Sequence, residues 1–252
     1  QKNILLCEQD NNNYDPLKCG HRLWFNQQTI PDPYFLDNNK VIYTPLQNGV
    51  KFSNSLSEKL GIELNLEILL SPDALDVMIV HEATNVSKED MTLALLASTS
   101  VNEKGILIAP ITQEDDQTYP TRSFALWSYA NINDPRFSYS NKYITLKHDN
   151  KNENQFKFGI NDRDGYVSYL LDDMLFTKRY VHNKDARYLD FGTSLQVYMD
   201  KNYTIIDTIS PLYNVKPNDT IKHVENWSIF KPKCQLTNTN DEQIDKLINS
   251  LT

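Results

Sequence analysis

Residues 62–70 read IELNLEILL, a run in which large apolar side chains alternate with polar ones. Successive side chains on a β-strand point to opposite faces, so one face of this run is apolar and the other carries Glu63, Asn65 and Glu67. This period of two differs from the 3.6-residue period of a helix. The pattern therefore predicts a strand of an antiparallel sheet whose apolar face packs on a core.

Comparable alternating runs recur along most of the chain, with turn residues between them. They predict further strands near residues 40–46, 74–84, 89–99, 104–109, 122–130, 141–148, 154–160, 165–171, 174–181, 193–200, 203–209 and 219–230. So many short strands with few helices between them indicate an all-β fold, either a large antiparallel β-sandwich or a barrel. The pair Asp164-Gly165 predicts a hairpin turn.

The C-terminus is where apolar residues follow helical spacing instead. Ile244, Leu247, Ile248 and Leu251 lie at positions i, i+3, i+4 and i+7 and predict a short helix at about 240–251. Asn240 and Gln243 resemble a capping box at its start. We expect this helix to pack on the outside of one domain that spans residues 1–252, because no linker rich in Pro, Gly or Ser divides the chain.

Composition excludes several classes of function. The 252 residues are 40% hydrophobic and 23% charged, which is typical of a chain with a packed core, and the formal net charge is −8. Because no basic stripe offsets this charge, we expect no nucleic-acid partner. No apolar run approaches the length of a membrane span, so we expect no membrane partner either. The composition leaves the oligomeric state open.

Three cysteines do not form the pattern of a disulfide framework or a zinc site. A single bridge from Cys234 to Cys7 or to Cys19 stays open. No signal peptide is visible, and we expect a cytoplasmic rather than an exported protein. Removal of a segment upstream of Gln1 is the open alternative.

Several strands place an ionisable group among apolar side chains. Asp207 shares its face with Tyr203, Ile205 and Ile209, and Lys178 shares its face with Met174, Phe176 and Tyr180. His223 and Glu225 share theirs with Ile221, Trp227 and Ile229. Because a buried unpaired charge is costly, each of these groups has a partner or lines a pocket. For Asp207 the two alternatives are a structural ion pair with Lys178 and a ligand site.

Two other residues have similar alternatives. Arg22 and Trp24 lie on one face, where they could form a surface cation–π pair or contact a ligand. His81 is interpreted as a hydrogen-bonded core residue. Because many strands carry such groups, we expect a concave sheet that holds a small polar ligand. Aromatic rings mixed with carboxylates, amides and a lysine suit a carbohydrate.

Four stretches also resemble the galactose mutarotase-like superfamily, most closely an uncharacterised bacterial family within it. They are GHRLWF (20–25), LWSYANINDPR (126–136), FTKRY (176–180) and the segment from Tyr203 to Phe230. They occur in the family's order and span nearly the whole chain. The resemblance implies a large antiparallel β-sandwich with a sugar-binding concave face and no metal or other cofactor.

In mutarotases a Glu acts as the general base at the anomeric hydroxyl and a His protonates the ring oxygen. The resemblance places Asp207 at the position of the base and Arg22 at a sugar-contacting position. Asp is one methylene shorter than Glu, and residues 91–101, which correspond to the strand of the acid, contain no His. Lys178 or His223 would be the substitute acid.

The sequence thus predicts a carbohydrate-binding protein that could act as an aldose epimerase by general acid–base catalysis. The alternative is a non-catalytic sugar-recognition or structural β-sandwich module. The predicted catalytic residue is Asp207. The predicted ligand-binding residues are His21, Arg22, Trp24, Lys178, His223 and Glu225, with Trp24 stacking on the sugar.

Overall fold

The computed structural model describes residues 3–5, 20–27, 40–55, 60–72, 75–114 and 118–249. These residues form seventeen strands and one helix, in agreement with the predicted all-β class. The strands are β1 (His21–Gln27), β2 (Ile42–Leu46), β3 (Gly49–Ser55), β4 (Ile62–Leu70), β5 (Asp76–Asn85), β6 (Met91–Val101), β7 (Ile106–Pro110), β8 (Phe124–Leu126), β9 (Phe137–Tyr139), β10 (Tyr143–Lys147), β11 (Phe156–Ile160), β12 (Tyr166–Leu171), β13 (Met174–Tyr180), β14 (Leu195–Met199), β15 (Thr204–Ile209), β16 (Tyr213–Val215) and β17 (Thr220–Phe230). The helix is α1 (Asp241–Asn249).

The strands form two antiparallel sheets. The first has seven strands in the order β1-β6-β15-β14-β11-β8, with β16 also paired to β6. The second has ten, in the order β2-β3-β4-β5-β17-β13-β12-β7-β10-β9. Strands adjacent in sequence often pair, as β4 does with β5, whereas β6 pairs with β15 across more than a hundred residues.

The two sheets pack face to face over one main core. Phe156, Val197 and Ile206 contribute to this core from the seven-stranded sheet. Leu107, Ile144, Phe176 and Trp227 are among the residues contributed by the ten-stranded sheet. The β-sandwich predicted from alternation is therefore confirmed, and the barrel alternative is not what the chain forms.

The strand β4 begins and ends where the alternation predicts. The segment 122–130 forms a strand only at Phe124–Leu126, and β3, β9 and β16 were not predicted. The predicted hairpin at Asp164-Gly165 is wrong, because the flanking strands β11 and β12 belong to different sheets. This turn instead carries the chain from one sheet to the other.

The helix α1 has the predicted position and cap. The amide N–H of Gln243 donates to Oδ1 of Asn240 over 2.9 Å. The Gln243 side chain accepts from Thr237 and from the Asn238 amide rather than returning to Asn240, so the capping box is only half formed. Ile244 and Leu247 are buried against Ile108, Tyr143 and Leu175, on the outer face of the ten-stranded sheet.

The predicted end of the helix and the disulfide alternatives depend on residues that the structure does not describe. Leu251, Cys7 and Cys19 are not among the described residues, so the disulfide alternatives stay predictions. Cys234 is half-buried beside the residues that α1 covers. Within the described ranges, the nine-residue α1 is too short and too polar to cross a lipid bilayer.

Candidate functional site

A cleft of about 450 Å³ opens on the face of the seven-stranded sheet that points away from the ten-stranded sheet. Its floor crosses five neighbouring strands, β1, β6, β15, β14 and β11. The volume lies within the range of about 300 to 1,000 Å³ that small-molecule sites occupy. The cleft is therefore the candidate ligand site of this chain.

Strand register aligns polar side chains across this floor. Arg22 is paired with Ser98, Ser98 with Asp207, and Asp207 with Gln196, so the four residues form one row across β1, β6, β15 and β14. All four line the cleft. Paired residues on neighbouring antiparallel strands project to the same face, which is why residues so distant in sequence meet here. We call this set the Asp207 row.

A second row runs beside the first. Ser100, Ile205, Tyr198 and Lys157 are paired in that order, and the amide of Trp127 donates to the Lys157 carbonyl over 3.2 Å. These five residues line the cleft as well. The floor thus changes from mainly polar in the Asp207 row to more aromatic in this second row, which we call the Lys157 row.

Asp207 is the carboxylate at the centre of the cleft. Its side chain is nearly buried, and Ser98 Oγ donates a hydrogen bond to Oδ1. Burial raises the pKa of Asp207 above its ordinary value, while the charge of Lys157 and the Ser98 hydroxyl act in the opposite direction. A carboxylate held in this way can accept a hydrogen bond from a ligand hydroxyl, or its proton.

Two indole rings lie at opposite ends of the cleft, each covered by a cation. The guanidinium carbon of Arg22 is 4.2 Å from the centroid of Trp24. The ammonium of Lys157 is 4.3 Å from the centroid of Trp127. Both are close cation–π pairs. Within the described part of the chain the buried Nε1 of Trp24 has no hydrogen-bond partner, and the residue as a whole is only 9% exposed beneath Arg22.

The loop between β13 and β14 adds a second carboxylate. Asp190 adopts a left-handed backbone conformation, with φ of 47°, and accepts a hydrogen bond of 2.7 Å from Nε2 of Gln196. Thr193 Oγ1 lies 3.0 Å from the same nitrogen. Gln196 is thereby fixed by two partners, and its carbonyl oxygen is the part of the amide left for a ligand.

Four of the predicted ligand residues lie on the other side of the seven-stranded sheet. His21, Lys178, His223 and Glu225 form part of a buried cluster between the two sheets. Lys178 Nζ is 2.9 Å from Oε1 of Glu225, and both side chains are fully buried. Lys178 therefore pairs with Glu225 and not with Asp207, which corrects the predicted ion-pair alternative for Asp207.

Hydrogen bonds satisfy the carboxylate of Glu225 completely. Thr208 Oγ1 donates to Oε1, and Trp227 Nε1 donates to Oε2 over 2.7 Å. Burial opposes the ionisation of Glu225, but the charge of Lys178 outweighs it and holds the pKa of Glu225 below its ordinary value. Burial lowers the pKa of Lys178, and Glu225 offsets part of that effect.

The histidines of the cluster form a chain with one consistent direction. His81 Nδ1 must donate to the His223 carbonyl at 2.8 Å, because a carbonyl oxygen only accepts. Nε2 of His81 then accepts from Nε2 of His21, 2.8 Å away, and His21 Nδ1 accepts from Thr99 Oγ1 over 2.9 Å. His81 is fully buried, as expected of a hydrogen-bonded core histidine.

Within the described ranges, a metal ion would find one candidate set, His21, His81 and Glu225, with ligand atoms within 4.8 Å of one another. The Glu225 oxygens already accept from Lys178, Thr208 and Trp227, and the two histidines share a hydrogen bond. A further cation beside the Lys178 ammonium would be repelled. The cluster is therefore better described as a hydrogen-bonded core network than as a metal centre.

The structure thus brings together Arg22, Trp24 and Asp207 in the cleft and assigns the other predicted residues to the core network. Ser98, Trp127, Lys157, Asp190 and Gln196 also line the cleft and were not predicted. A sequence signal did exist for Lys157, which lies between Phe156 and Phe158 and so projects to the opposite face of β11. Alternation alone assigns that face to solvent.

Solved structures with similar folds have related descriptions. A galactose mutarotase-like protein from Lactobacillus casei ATCC 334 matches with a TM-score of 0.52 and 11% identity, over 83% of this chain and 85% of the other. A proposed aldose 1-epimerase from Escherichia coli K12 matches with a TM-score of 0.52 and 7% identity, over 90% and 89% of the two chains. No family model and no curated protein matches the sequence. The chain has the galactose mutarotase-like fold, as the sequence motifs predicted.

Proposed function

We propose that this chain of galactose mutarotase-like fold binds a small carbohydrate in the cleft around Asp207. The observation that supports the proposal most is the Asp207 row, in which Arg22, Ser98, Asp207 and Gln196 converge on one floor. A concave site with a few convergent polar groups is the usual form of a small-molecule site.

The chemistry of this floor suits a sugar. Each hydroxyl group both donates and accepts hydrogen bonds, and the cleft offers both kinds of partner. Asp207 is an acceptor, Arg22 and Lys157 are donors, and hydrogen bonds to such ionised groups are stronger than neutral ones. The half-buried rings of Trp127 and Tyr198 supply apolar surface for the C–H faces of a sugar ring, whereas Trp24 is only 9% exposed beneath Arg22.

A second candidate function is anomer exchange with Asp207 as the general base. The raised pKa of Asp207 favours this role, because a base works best when its pKa approaches the working pH. The acids suggested by the sequence, Lys178 and His223, lie in the core network behind the sheet.

The experiment is saturation-transfer NMR with a panel of aldoses, in which anomer exchange is followed in the same samples. We expect saturation transfer to at least one aldose, and its loss in Asp207→Asn. Asp219→Asn, an exposed carboxylate outside the cleft, is the matched control and should bind as the wild type does.

Exchange faster than the uncatalysed rate, lost in Asp207→Asn, would make the protein an epimerase. Binding without accelerated exchange would make it a recognition module. Absence of saturation transfer from every aldose of the panel, or equal binding by Asp207→Asn, would contradict the proposed site.

A further inference from the structure

The cleft is longer than one sugar ring requires. It spans β1 to β11, which are four strand spacings apart, so at about 4.8 Å per spacing its end strands are about 19 Å apart. A single six-membered sugar ring is much shorter than this distance. We infer that the cleft binds a disaccharide or longer saccharide that lies across the strands, an inference that rests on the proposed carbohydrate-binding function.

The position of Asp207 supports this inference. Asp207 lies on β15, two strands from Arg22 on β1 and two strands from Lys157 on β11. Each interval is about 10 Å at the backbone. A single ring that contacts Asp207 and Arg22 therefore leaves Trp127 and Tyr129, at the far end of the cleft, without a ligand contact.

A cation–indole pair marks each end of the cleft. At one end Arg22 lies on Trp24, and at the other Lys157 lies on Trp127, with centroid distances of 4.2 and 4.3 Å. Holding a cation on an indole orders a long side chain before a ligand binds, which lowers the entropic cost of binding. Two such arrangements on one floor indicate two places at which hydroxyl groups are bound.

Each of the two rows binds one sugar unit. The first unit lies over the Asp207 row, where the carboxylate and the Arg22 guanidinium bind its hydroxyl groups. The second lies over the Lys157 row, between Tyr198 and Trp127, both of which are half-buried. Tyr129 is 47% exposed at the same end and extends the aromatic surface. A monosaccharide uses the first place, and a disaccharide uses both.

The test is isothermal titration calorimetry of the whole chain with glucose, galactose, maltose, cellobiose and lactose. We expect at least one disaccharide to bind about tenfold more tightly than either of its component monosaccharides, a factor that corresponds to about 1.4 kcal/mol. The same gain should disappear in Trp127→Ala, while monosaccharide affinity changes less than about twofold.

Two further variants keep the test decisive. Lys157→Ala removes the cation and retains the indole, so it should reduce the disaccharide gain even if Trp127→Ala folds poorly. Tyr43→Ala removes an aromatic side chain that is 70% exposed on the ten-stranded sheet, and it should leave every affinity unchanged.

The outcomes separate this inference from the function on which it rests. Monosaccharides that bind as tightly as every disaccharide, with Trp127→Ala and Lys157→Ala without selective effect, would overturn the two-unit cleft and leave carbohydrate binding intact. Absence of binding heat for all five sugars, together with silent saturation-transfer spectra, would overturn both.

Discussion

The ammonium of Lys178 donates hydrogen bonds to the backbone carbonyls of Ala97 and Ile206, over 3.0 and 3.3 Å. These carbonyls directly precede Ser98 and Asp207, the hydrogen-bonded pair at the centre of the cleft. The buried cation of one sheet therefore ties together the two strands of the other sheet that carry the candidate site. The Glu225 carboxylate neutralises the charge of the Lys178 ammonium.

Replacing this cation should destabilise the protein strongly. We expect Lys178→Met to lower the free energy of unfolding by about 3 to 5 kcal/mol, because it leaves the Glu225 carboxylate buried without its partner. The measurement is urea denaturation at neutral pH. The double variant Lys178→Met/Glu225→Gln should recover part of the loss, since it removes the uncompensated charge.

The matched control is Lys142→Met, which makes the same substitution at the exposed pair of Lys142 with Asp245. Exposed pairs contribute little, so its effect on unfolding should be small. A loss in Lys178→Met no greater than in this control would contradict a charged, structurally required pair in the core network.

The Ser98 hydroxyl should tune the acid at the centre of the cleft. Ser98→Ala removes a donor that favours the charged carboxylate, so we expect the pKa of Asp207 to rise further. Carboxyl-carbon NMR titration measures this directly. Ser100→Ala, one row away on the same face of β6, is the control, and equal titration midpoints in the two variants would refute the assignment.

Acid should weaken the fold through the histidines of the core network. Burial lowers the pKa of His21, His81 and His223, the last to about 3. In the unfolded chain these histidines have a pKa near 6.5, so below that pH they bind protons that the folded chain excludes. The free energy of unfolding therefore falls as the pH decreases below about 6.5. Each histidine contributes a slope of up to about 1.4 kcal/mol per pH unit.

Asp162 acts in the opposite direction, because burial raises its pKa to about 7 and the folded state therefore takes up a proton first. Burial raises the pKa of Asp164 and Asp207 as well, and it lowers the pKa of His148 and His182 as it does for the histidines of the core network. Five histidines outweigh three carboxyls, so urea denaturation from pH 7.5 to pH 5 should show a net loss of stability. His223→Gln, which retains a donor to Thr208, should make the dependence on pH shallower. An unchanged slope in that variant would show that His223 does not titrate in this way.

The cap of α1 should contribute measurably to stability. Asn240→Ala removes the oxygen that accepts from the Gln243 amide, and we expect a loss of about 1 kcal/mol in the free energy of unfolding. Asn240→Asp retains an acceptor and should preserve the stability. If thermal unfolding does not distinguish the two variants, the cap is not what holds the first turn.

Local pattern determined the class of fold and several of its elements. The alternation in 62–70 is enough to define the limits of β4, although burial does not follow the period, since Asn65 is buried and Leu70 is 59% exposed. The spacing of Ile244 and Leu247 and the cap at Asn240 likewise define α1. Strands β9 and β16, with three residues each, are too short to show a period.

What the sequence by itself determined was that Asp207 shares a face with Ile205, and that Lys178, His223 and Glu225 lie among apolar neighbours. Only the tertiary structure decided which face of β15 packs on the second sheet and which face forms the cleft. All six residues of β15 are buried, so the alternation of side chains does not distinguish the two faces. Neighbours such as Asp207 and Thr208 therefore project to opposite sides, one to the candidate site and one to the core network. The partner of Asp207 lies 109 residues away on β6, and strand pairing of that range depends on the packing of the whole sandwich, which no local pattern encodes.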